Sequence, residues 1–167
     1  MVAQVKQQRQ LPSPAAQRGV GLIEVMIAVL IMAIGLLGVA AMQTAALRNS
    51  QSSLERSQAV IASYTVLDAM RANRVAALAG SYNTGGFLCK TDGSGSLAAA
   101  DQAAWISGWK AAVGSDANDD SACGSINCVN GICEIGLRWD DSRAIDAGDG
   151  QKAKGSNQET FRTKVQL

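Results

Sequence analysis

The chain has 167 residues and a formal net charge of +1, and it contains no histidine. Catalytic triads, metal sites and general bases that depend on imidazole are therefore excluded. The near-neutral charge, without a basic patch interleaved with aromatic residues, argues against a nucleic-acid partner. The length allows one globular domain beside a membrane segment.

The first predicted element is a long apolar segment near the N-terminus. Residues 20–42 contain a single ionisable side chain, Glu24, and about 20 apolar residues are enough for a helix to cross a bilayer. The residues before it carry Lys6, Arg9 and Arg18 and no acid. By the positive-inside rule, the N-terminus stays in the cytoplasm and the rest of the chain crosses the inner membrane to the periplasm.

The order of residues around Gly19 carries a resemblance. Basic residues, Gly19, four further residues, Glu24 and a long apolar helix resemble the class III signal of type IV pilins and of the related type II secretion pseudopilins. In that family a prepilin peptidase cuts after the Gly and methylates the new N-terminus. The resemblance implies a prepilin leader over residues 1–19 and processing at Gly19 and Val20. The family most often has Phe where Val20 stands and Pro near Ala41, and these departures favour a minor subunit.

Glu24 then has a physical role in setting the register between subunits. An ionisable group inside a membrane costs about 2.5–3.5 kcal/mol even on a mild insertion scale, so a partner is expected. The cut exposes an α-amino group on Val20, which can neutralise the Glu24 carboxylate of a neighbouring subunit. The alternative is an uncleaved signal anchor with Glu24 near the cytoplasmic interface. A secretory peptide fits less well because its apolar core runs to only about 7–15 residues.

The helical pattern continues beyond the membrane segment. Residues 39–79 contain neither Gly nor Pro, and apolar residues recur mostly three or seven positions apart. We predict one helix over residues 20–79, ended by Gly80. Its half over residues 43–79 is expected to pack on the periplasmic domain through an apolar stripe. The stripe consists of Leu47, Leu54, Ile61, Tyr64, Leu67, Met70 and Leu78.

The end of this helix carries a second resemblance. The segment LDAMRANR over residues 67–74, followed by Tyr82, resembles a stretch typical of the PilV family of type IV pilus minor pilins. Arg71 and Arg74 lie three apart on the predicted helix. They are expected to meet carboxylates of the head domain or of an adjacent subunit, or else to form a solvated charge pair.

Residues 80–167 are predicted to form a periplasmic head domain with disulfides. Residues 80–96 and 114–131 have the composition of loops, and a second helix is predicted over residues 97–113. Trp105 and Trp109 share a face of that helix, for packing against a sheet or for lining a ligand groove.

The last part of the chain alternates with the period of strands. Residues 132–139 and 161–167 each place apolar side chains at every second position, which predicts two antiparallel neighbours. The helix with Asp101 and Trp105, followed by a strand ending in RWDD, also resembles the PilV family.

Four cysteines, Cys89, Cys123, Cys128 and Cys133, lie on the periplasmic side. An even number in an oxidising compartment favours two disulfides. Zinc is the alternative, although the spacing differs from a zinc knuckle. Of the three connectivities possible, we expect Cys123 with Cys128 and Cys89 with Cys133.

Acidic side chains follow and accompany the first of the two strands. Asp140, Asp141, Asp146 and Asp149 lie in a polar loop after it, but the ligand order of an EF-hand is missing. A solvated acidic loop is therefore favoured over calcium, and no metal or cofactor is expected. The alternative of another class is a membrane-anchored periplasmic enzyme or ligand-binding module. Its only close group of acids would be Glu134, Asp140 and Asp141, which have no evident nucleophile partner.

Taken together, the resemblance implies an α+β type IV pilin fold: a long N-terminal helix packed on a small antiparallel sheet, with an extra helix. It implies a minor pilin, not an enzyme, that is incorporated at or near the tip of a type IV pilus and primes its assembly. The implied partners are other minor pilins, the major pilin, the prepilin peptidase and the inner-membrane assembly platform. A minor pseudopilin of type II secretion is the alternative within this class.

Overall fold

The computed structural model describes residues 19–144 and 155–167. Within them the chain forms three helices and three strands, and it divides into two compact units, Met1–Ala41 and Met42–Leu167. The elements in chain order are α1 (Leu22–Ala72), α2 (Arg74–Leu78), α3 (Leu97–Ala112), β1 (Cys123–Val129), β2 (Ile132–Trp139) and β3 (Glu159–Gln166). The α+β fold predicted from the sequence, a long helix with a small antiparallel sheet and extra helices, is confirmed.

The described part of the first unit is the beginning of α1. Every residue from Gly19 to Ala41 is exposed, although almost all of them are apolar. The helix is long and apolar enough to cross a membrane. An all-round apolar surface of this kind fits a solvent other than water.

Helix α1 ends earlier than the sequence pattern predicts. It stops at Ala72, and Asn73 leaves the helical conformation before the short α2 begins. Gly80 does end the helical region, with φ of +80°. Its N–H donates to Ala77 O, and the Ser81 N–H donates to Ala76 O at 2.9 Å. These two bonds form a Schellman motif, which uses the freedom of glycine to adopt positive φ.

The face of α1 that the head covers differs from the predicted apolar stripe, and that prediction is wrong for five of its seven residues. Only Leu67 and Met70 are buried. The buried face also contains small side chains, Ala59 and Ser63 among them. The stripe residues that remain exposed are Leu47, Leu54, Ile61, Tyr64 and Leu78.

Helix α3 is capped by Ser96, the residue before it, whose side-chain oxygen accepts a hydrogen bond from the Ala99 N–H. Trp105 and Trp109 are both buried, as predicted. The Trp105 indole donates to the Ala62 carbonyl of α1 at 2.9 Å, and the Trp109 indole donates to the Arg138 carbonyl at 3.1 Å. The two rings therefore join α3 to both α1 and the sheet.

The sheet has three strands in the order β1-β2-β3, with both neighbouring pairs antiparallel. The prediction of β2 and β3 as antiparallel neighbours is confirmed. The prediction of a loop throughout residues 114–131 is wrong, because β1 occupies the end of that range. Gly124 in β1 has no room for a Cβ, which would overlap the Trp105 ring. This glycine lets α3 lie directly on the strand.

The core of the head lies between the sheet, α3 and the C-terminal part of α1. Trp109 and Trp139 meet edge to face with ring centroids 5.6 Å apart. Side chains of β2 at every second position complete the core, as the alternation predicts. They are Cys133, Ile135, Leu137 and Trp139.

Candidate functional site

The residues around Gly19 lie just outside helix α1. Gly19, Val20 and Gly21 are exposed and non-helical, and the Glu24 N–H donates to the Gly21 carbonyl at 3.0 Å, in the first turn. No atom lies within 4 Å of the position that a Cβ on Gly19 would take. The peptide bond between Gly19 and Val20 is therefore outside the helical hydrogen-bond ladder and accessible to a protease.

Glu24 lies in the first turn of α1, where the helix dipole favours a negative charge. Its neighbours Ile23 and Val25 are more than half exposed. Among the described residues no cation forms an ion pair with Glu24. The helix start thus presents one carboxylate within an uncovered apolar surface.

The two arginines of the LDAMRANR segment have different partners. Arg71 pairs with Asp68 on its own helix at 2.9 Å, and both side chains are largely exposed. Arg74, which begins α2, donates to the Leu167 carbonyl at 3.1 Å. Because Asn73 interrupts the helix between them, the two side chains do not belong to one continuous helical face.

Two other residues of the PilV-like segments are brought together in the head. The Tyr82 hydroxyl donates to the Asp101 carboxylate and accepts a bond from the Asn73 amide. Burial, and then the bond to Asp101, raises the pKa of Tyr82. Gln102 also donates to the Tyr82 carbonyl at 2.8 Å. This network ties the end of α1 to α3 and has a structural role.

The four cysteines form two disulfides, but the expected connectivity is wrong. Cys89 is bonded to Cys123, and Cys128 is bonded to Cys133. Cys128 and Cys133 lie directly opposite each other on β1 and β2, with Cα atoms 4.0 Å apart. Such closeness is typical of cross-strand pairs that share no backbone hydrogen bonds.

The sequence contains a signal from which the Cys128–Cys133 pairing could have been predicted. Asn130 and Gly131 join β1 to β2, and both have positive φ, which is the conformation of a two-residue hairpin turn. Asn-Gly is the strongest short-range signal for that turn. Reading residues 114–131 as a loop concealed the hairpin, and with it the position of Cys128 opposite Cys133.

The disulfide between Cys89 and Cys123 lies next to an isolated β-bridge outside the named strands. Leu88 and Gly124 exchange backbone hydrogen bonds of 2.7 and 2.9 Å. The adjacent residues Cys89 and Cys123 therefore face each other. The Arg138 guanidinium lies 3.2 Å from the Cys123 sulfur and donates to the Asp120 carbonyl.

The acids considered for catalysis are not brought together by the fold. Glu134 projects from β2 and pairs with Arg162 at 2.7 Å and with Lys164 at 3.3 Å. Asp141 is buried instead beside α1, where it accepts a bond of 2.7 Å from the Ser52 hydroxyl. Asp146 and Asp149 of the acidic loop lie outside the described residues.

An ion pair between an exposed arginine and a buried glutamate holds the start of that loop to α1. Glu55 is only 5% exposed and pairs with Arg143 at 3.0 Å. Burial raises the pKa of Glu55, and the charge of Arg143 and the Trp139 indole N–H oppose this shift. Because Arg143 is itself well exposed, these groups hold the loop to the helix rather than form an enclosed catalytic site.

Comparison with known families identifies one match. The model described as the prokaryotic N-terminal methylation motif matches residues 14–40, which include Gly19, Val20 and Glu24. No curated protein and no solved structure matches the chain significantly. The motif, the apolar helix and the α+β head together support a type IV pilin or pseudopilin. They point to a structural protein processed by a prepilin peptidase and assembled with pilin components.

Proposed function

We propose that this chain is a minor pilin of a type IV pilus, of the PilV type, cut after Gly19 and incorporated at or near the pilus tip. There it primes assembly together with other minor pilins and the major pilin, on the inner-membrane assembly platform. The observation that carries the proposal is the prepilin motif at the start of an uncovered apolar helix. Residues 1–19 are the leader, 20–42 the membrane and assembly segment, and 80–167 the periplasmic head.

The uncovered helix supplies the mechanism of assembly. Before assembly its apolar surface, which includes Leu30, Leu37 and Met42, is covered by lipid. After assembly the same surface is covered by helices of neighbouring subunits. Moving the helix from the membrane into a fibre therefore exchanges one apolar environment for another and exposes little apolar area to water.

The carboxylate of Glu24 supplies a register that apolar contact lacks. Apolar packing tolerates sliding of one helix along another, whereas a buried charge requires a partner at one height. In the proposed fibre the partner is the Val20 ammonium of the adjacent subunit. Removing one member of such a buried pair costs about 3–5 kcal/mol.

The exposed stripe on the second half of α1 supports assembly too. Leu47, Leu54 and Ile61 recur every seven residues, and each is more than half exposed. An apolar side chain at every seventh residue is part of the heptad pattern by which helices pack on one another. In the proposed fibre these side chains contact other subunits, since the head covers the opposite face of the helix.

Processing at Gly19 is the direct test of the proposal. In cells that contain the prepilin peptidase, the parent chain should lose residues 1–19 and carry a methylated Val20. The Gly19→Ala variant should keep the leader and stay in the membrane fraction. Intact mass of the membrane-extracted protein measures both outcomes.

A matched control is the neighbouring glycine. Gly21 has negative φ, and a Cβ there would only touch Ile23 at 3.9 Å, so Gly21→Ala should be processed like the parent. A parent chain with its leader intact would contradict the proposal. Recovery of the processed chain with secretion pseudopilins instead of pilins would identify it as a minor pseudopilin of type II secretion.

A further inference from the structure

The two edges of the head sheet differ in how they are covered. Beyond β1, the segment leading to Cys89 is bonded to the strand: Leu88 exchanges two backbone bonds with Gly124, and the Thr84 N–H donates to the Ile126 carbonyl at 3.0 Å. Strand β3 lies at the other end of the strand order. Over the described residues, no further segment is bonded along it.

The direction of the free backbone groups on β3 can be fixed. The Leu167 N–H donates to the Gly131 carbonyl at 3.0 Å, and antiparallel bonds alternate along a strand. Phe161, Thr163 and Val165 therefore bond to β2. The N–H and C=O groups of the residues between them point away from β2, and within residues 19–144 and 155–167 they have no backbone partner. They belong to Thr160, Arg162, Lys164 and Gln166.

A groove runs beside this edge on the side of α1. It has a volume of about 370 Å³ and lies at the start of β3, where Arg56 pairs with Glu159 at 3.0 Å. Its lining consists of the apolar Val60, Trp139 and Phe161 and the polar Ser53, Arg56, Ser57, Glu159 and Thr160. Val60 is 39% exposed, and Phe161 is half-buried. A strand added to β3 would place every second side chain on this face, and the one opposite Phe161 would enter the groove beside Val60.

The opposite face of the edge is positively charged. Arg162 and Lys164 project there with side-chain exposures of 53% and 70%, and they share one acid, Glu134. The alternate side chains of an added strand would lie next to these cations. Opposite charges stabilise such cross-strand pairs, and like charges destabilise them.

This charge pattern argues against a second copy as the added strand. Two β3 strands paired antiparallel over their full length would set Arg162 and Lys164 against the same cations of the other copy, and a parallel pair would set these cations beside the apolar Phe161 and Val165. Exposed basic residues on an edge are a common protection against such self-pairing. The fitting partner is a different chain, with acidic side chains at the positions that face Arg162 and Lys164.

We infer that β3 is a docking edge for an extended segment of another protein, in which acidic residues alternate with apolar ones. The backbone groups of Thr160, Arg162, Lys164 and Gln166 pair with that segment. Its acids face the two cations, and its apolar side chain opposite Phe161 enters the groove beside Val60. The inference depends only on the head and goes beyond the proposed function, because it holds for any assembly that contains this chain.

The test uses the full chain in detergent micelles and a fluorescent eight-residue peptide in which valine alternates with glutamate. Binding is measured by fluorescence anisotropy, with empty micelles as the blank. The control peptide alternates valine with lysine and is expected to bind at least about tenfold more weakly, because each mismatched charge pair is destabilising. No binding of the glutamate peptide, or equal binding of both peptides, would overturn the inference.

Paired variants at one position test the backbone contact. Lys164→Ala removes the charge, whereas Lys164→Pro also removes the outward N–H and places a ring at the edge. Proline is tolerated on an edge strand where the N–H is not used in the sheet. Relative to Lys164→Ala, we expect Lys164→Pro to bind the glutamate peptide at least about tenfold more weakly. Equal affinities would contradict strand pairing.

A third measurement leaves the protein unchanged, so it holds even if Lys164→Pro fails to fold. N-methylation at alternate residues of the peptide blocks one edge of its backbone at a time. One methylated set should abolish binding and the other should preserve it, because only one edge of the peptide faces β3. Binding that survives both sets would overturn the inference. A parent dimer that is lost in Lys164→Pro would instead identify a second copy as the occupant.

Discussion

The two units of this chain differ in whether their apolar side chains are exposed or buried. Between Gly19 and Ala41 every described residue is exposed, although the segment is the most apolar of the chain. The unit Met42–Leu167 buries three tryptophans and Tyr82, and it adds two disulfides. The first unit therefore needs other molecules to cover it, whereas the second holds its own structure.

The two units also differ in which positions require a particular side chain. In the proposed fibre, almost any apolar side chain of the first unit fits a lipid or helix neighbour, and Glu24, the one ionisable side chain of residues 20–41, distinguishes one position from another. In the head, by contrast, each buried ring has a defined contact, such as the Trp109 bond to the Arg138 carbonyl. Substitutions of Glu24 should change assembly, and substitutions of buried residues in the head should change stability.

The largest effect is expected at Glu24. Glu24→Gln should insert in the membrane normally, but its incorporation into filaments should fall by about a hundredfold or more, because the neighbouring ammonium is left without a partner. The ratio of the chain in sheared filaments to that in membranes measures this. Unfolding of the head, followed by tryptophan fluorescence, should be unchanged. If the Gln variant assembled like the parent, the role of this carboxylate would be wrong.

The two disulfides should differ in their contribution to the head. Replacing Cys89 and Cys123 by Ser opens a loop of 34 residues in sequence separation, against 5 for Cys128 and Cys133. In the chain-entropy model the losses are about 4 and about 2 kcal/mol. Urea unfolding followed by tryptophan fluorescence reports only on the head, since Trp105, Trp109 and Trp139 all lie there. A reversed order of the two losses would contradict this reasoning.

The two faces of α1 provide the next comparison. Met70 is fully buried, so Met70→Ala should destabilise the head by about 2–5 kcal/mol. Leu54 is 57% exposed, and Leu54→Ala should change the stability by less than about 0.5 kcal/mol. In the proposed fibre, only Leu54→Ala lowers assembly at unchanged stability. Equal destabilisation by the two substitutions would show that the stripe is not a free face.

The smallest effect concerns Glu134 and pH. The bond from Arg162, and then that from Lys164, holds the pKa of Glu134 below its ordinary value of 4.5. A lowered pKa means that the carboxylate stabilises the head above pH 4.5, and that this contribution is lost as the pH falls through the lowered pKa. Glu134→Gln should therefore have a slightly lower unfolding midpoint than the parent at pH 7, and the difference should shrink as the pH falls below 4.5. A difference that is independent of pH would contradict this assignment.

Much of the fold was predictable because local patterns carried it. The apolar run, the stop at Gly80, the alternation in β2 and the spacing of Trp105 and Trp109 all gave correct elements. The covered face of α1 was not predictable from periodicity. Its residues include Ala59 and Ser63 as well as buried Glu55, so the strongest apolar stripe lies on the other face.

The sequence by itself determined the membrane-type helix, the prepilin motif around Gly19 and Glu24, and the presence of a small α+β head. Only the tertiary structure decided which cysteines are bonded, which face of α1 is covered and which edge of the sheet lacks a backbone partner among the described residues. The reason is physical. Helix formation and membrane affinity depend on residues close together in the chain, whereas disulfide pairing and burial depend on which distant segments the packed core brings into contact.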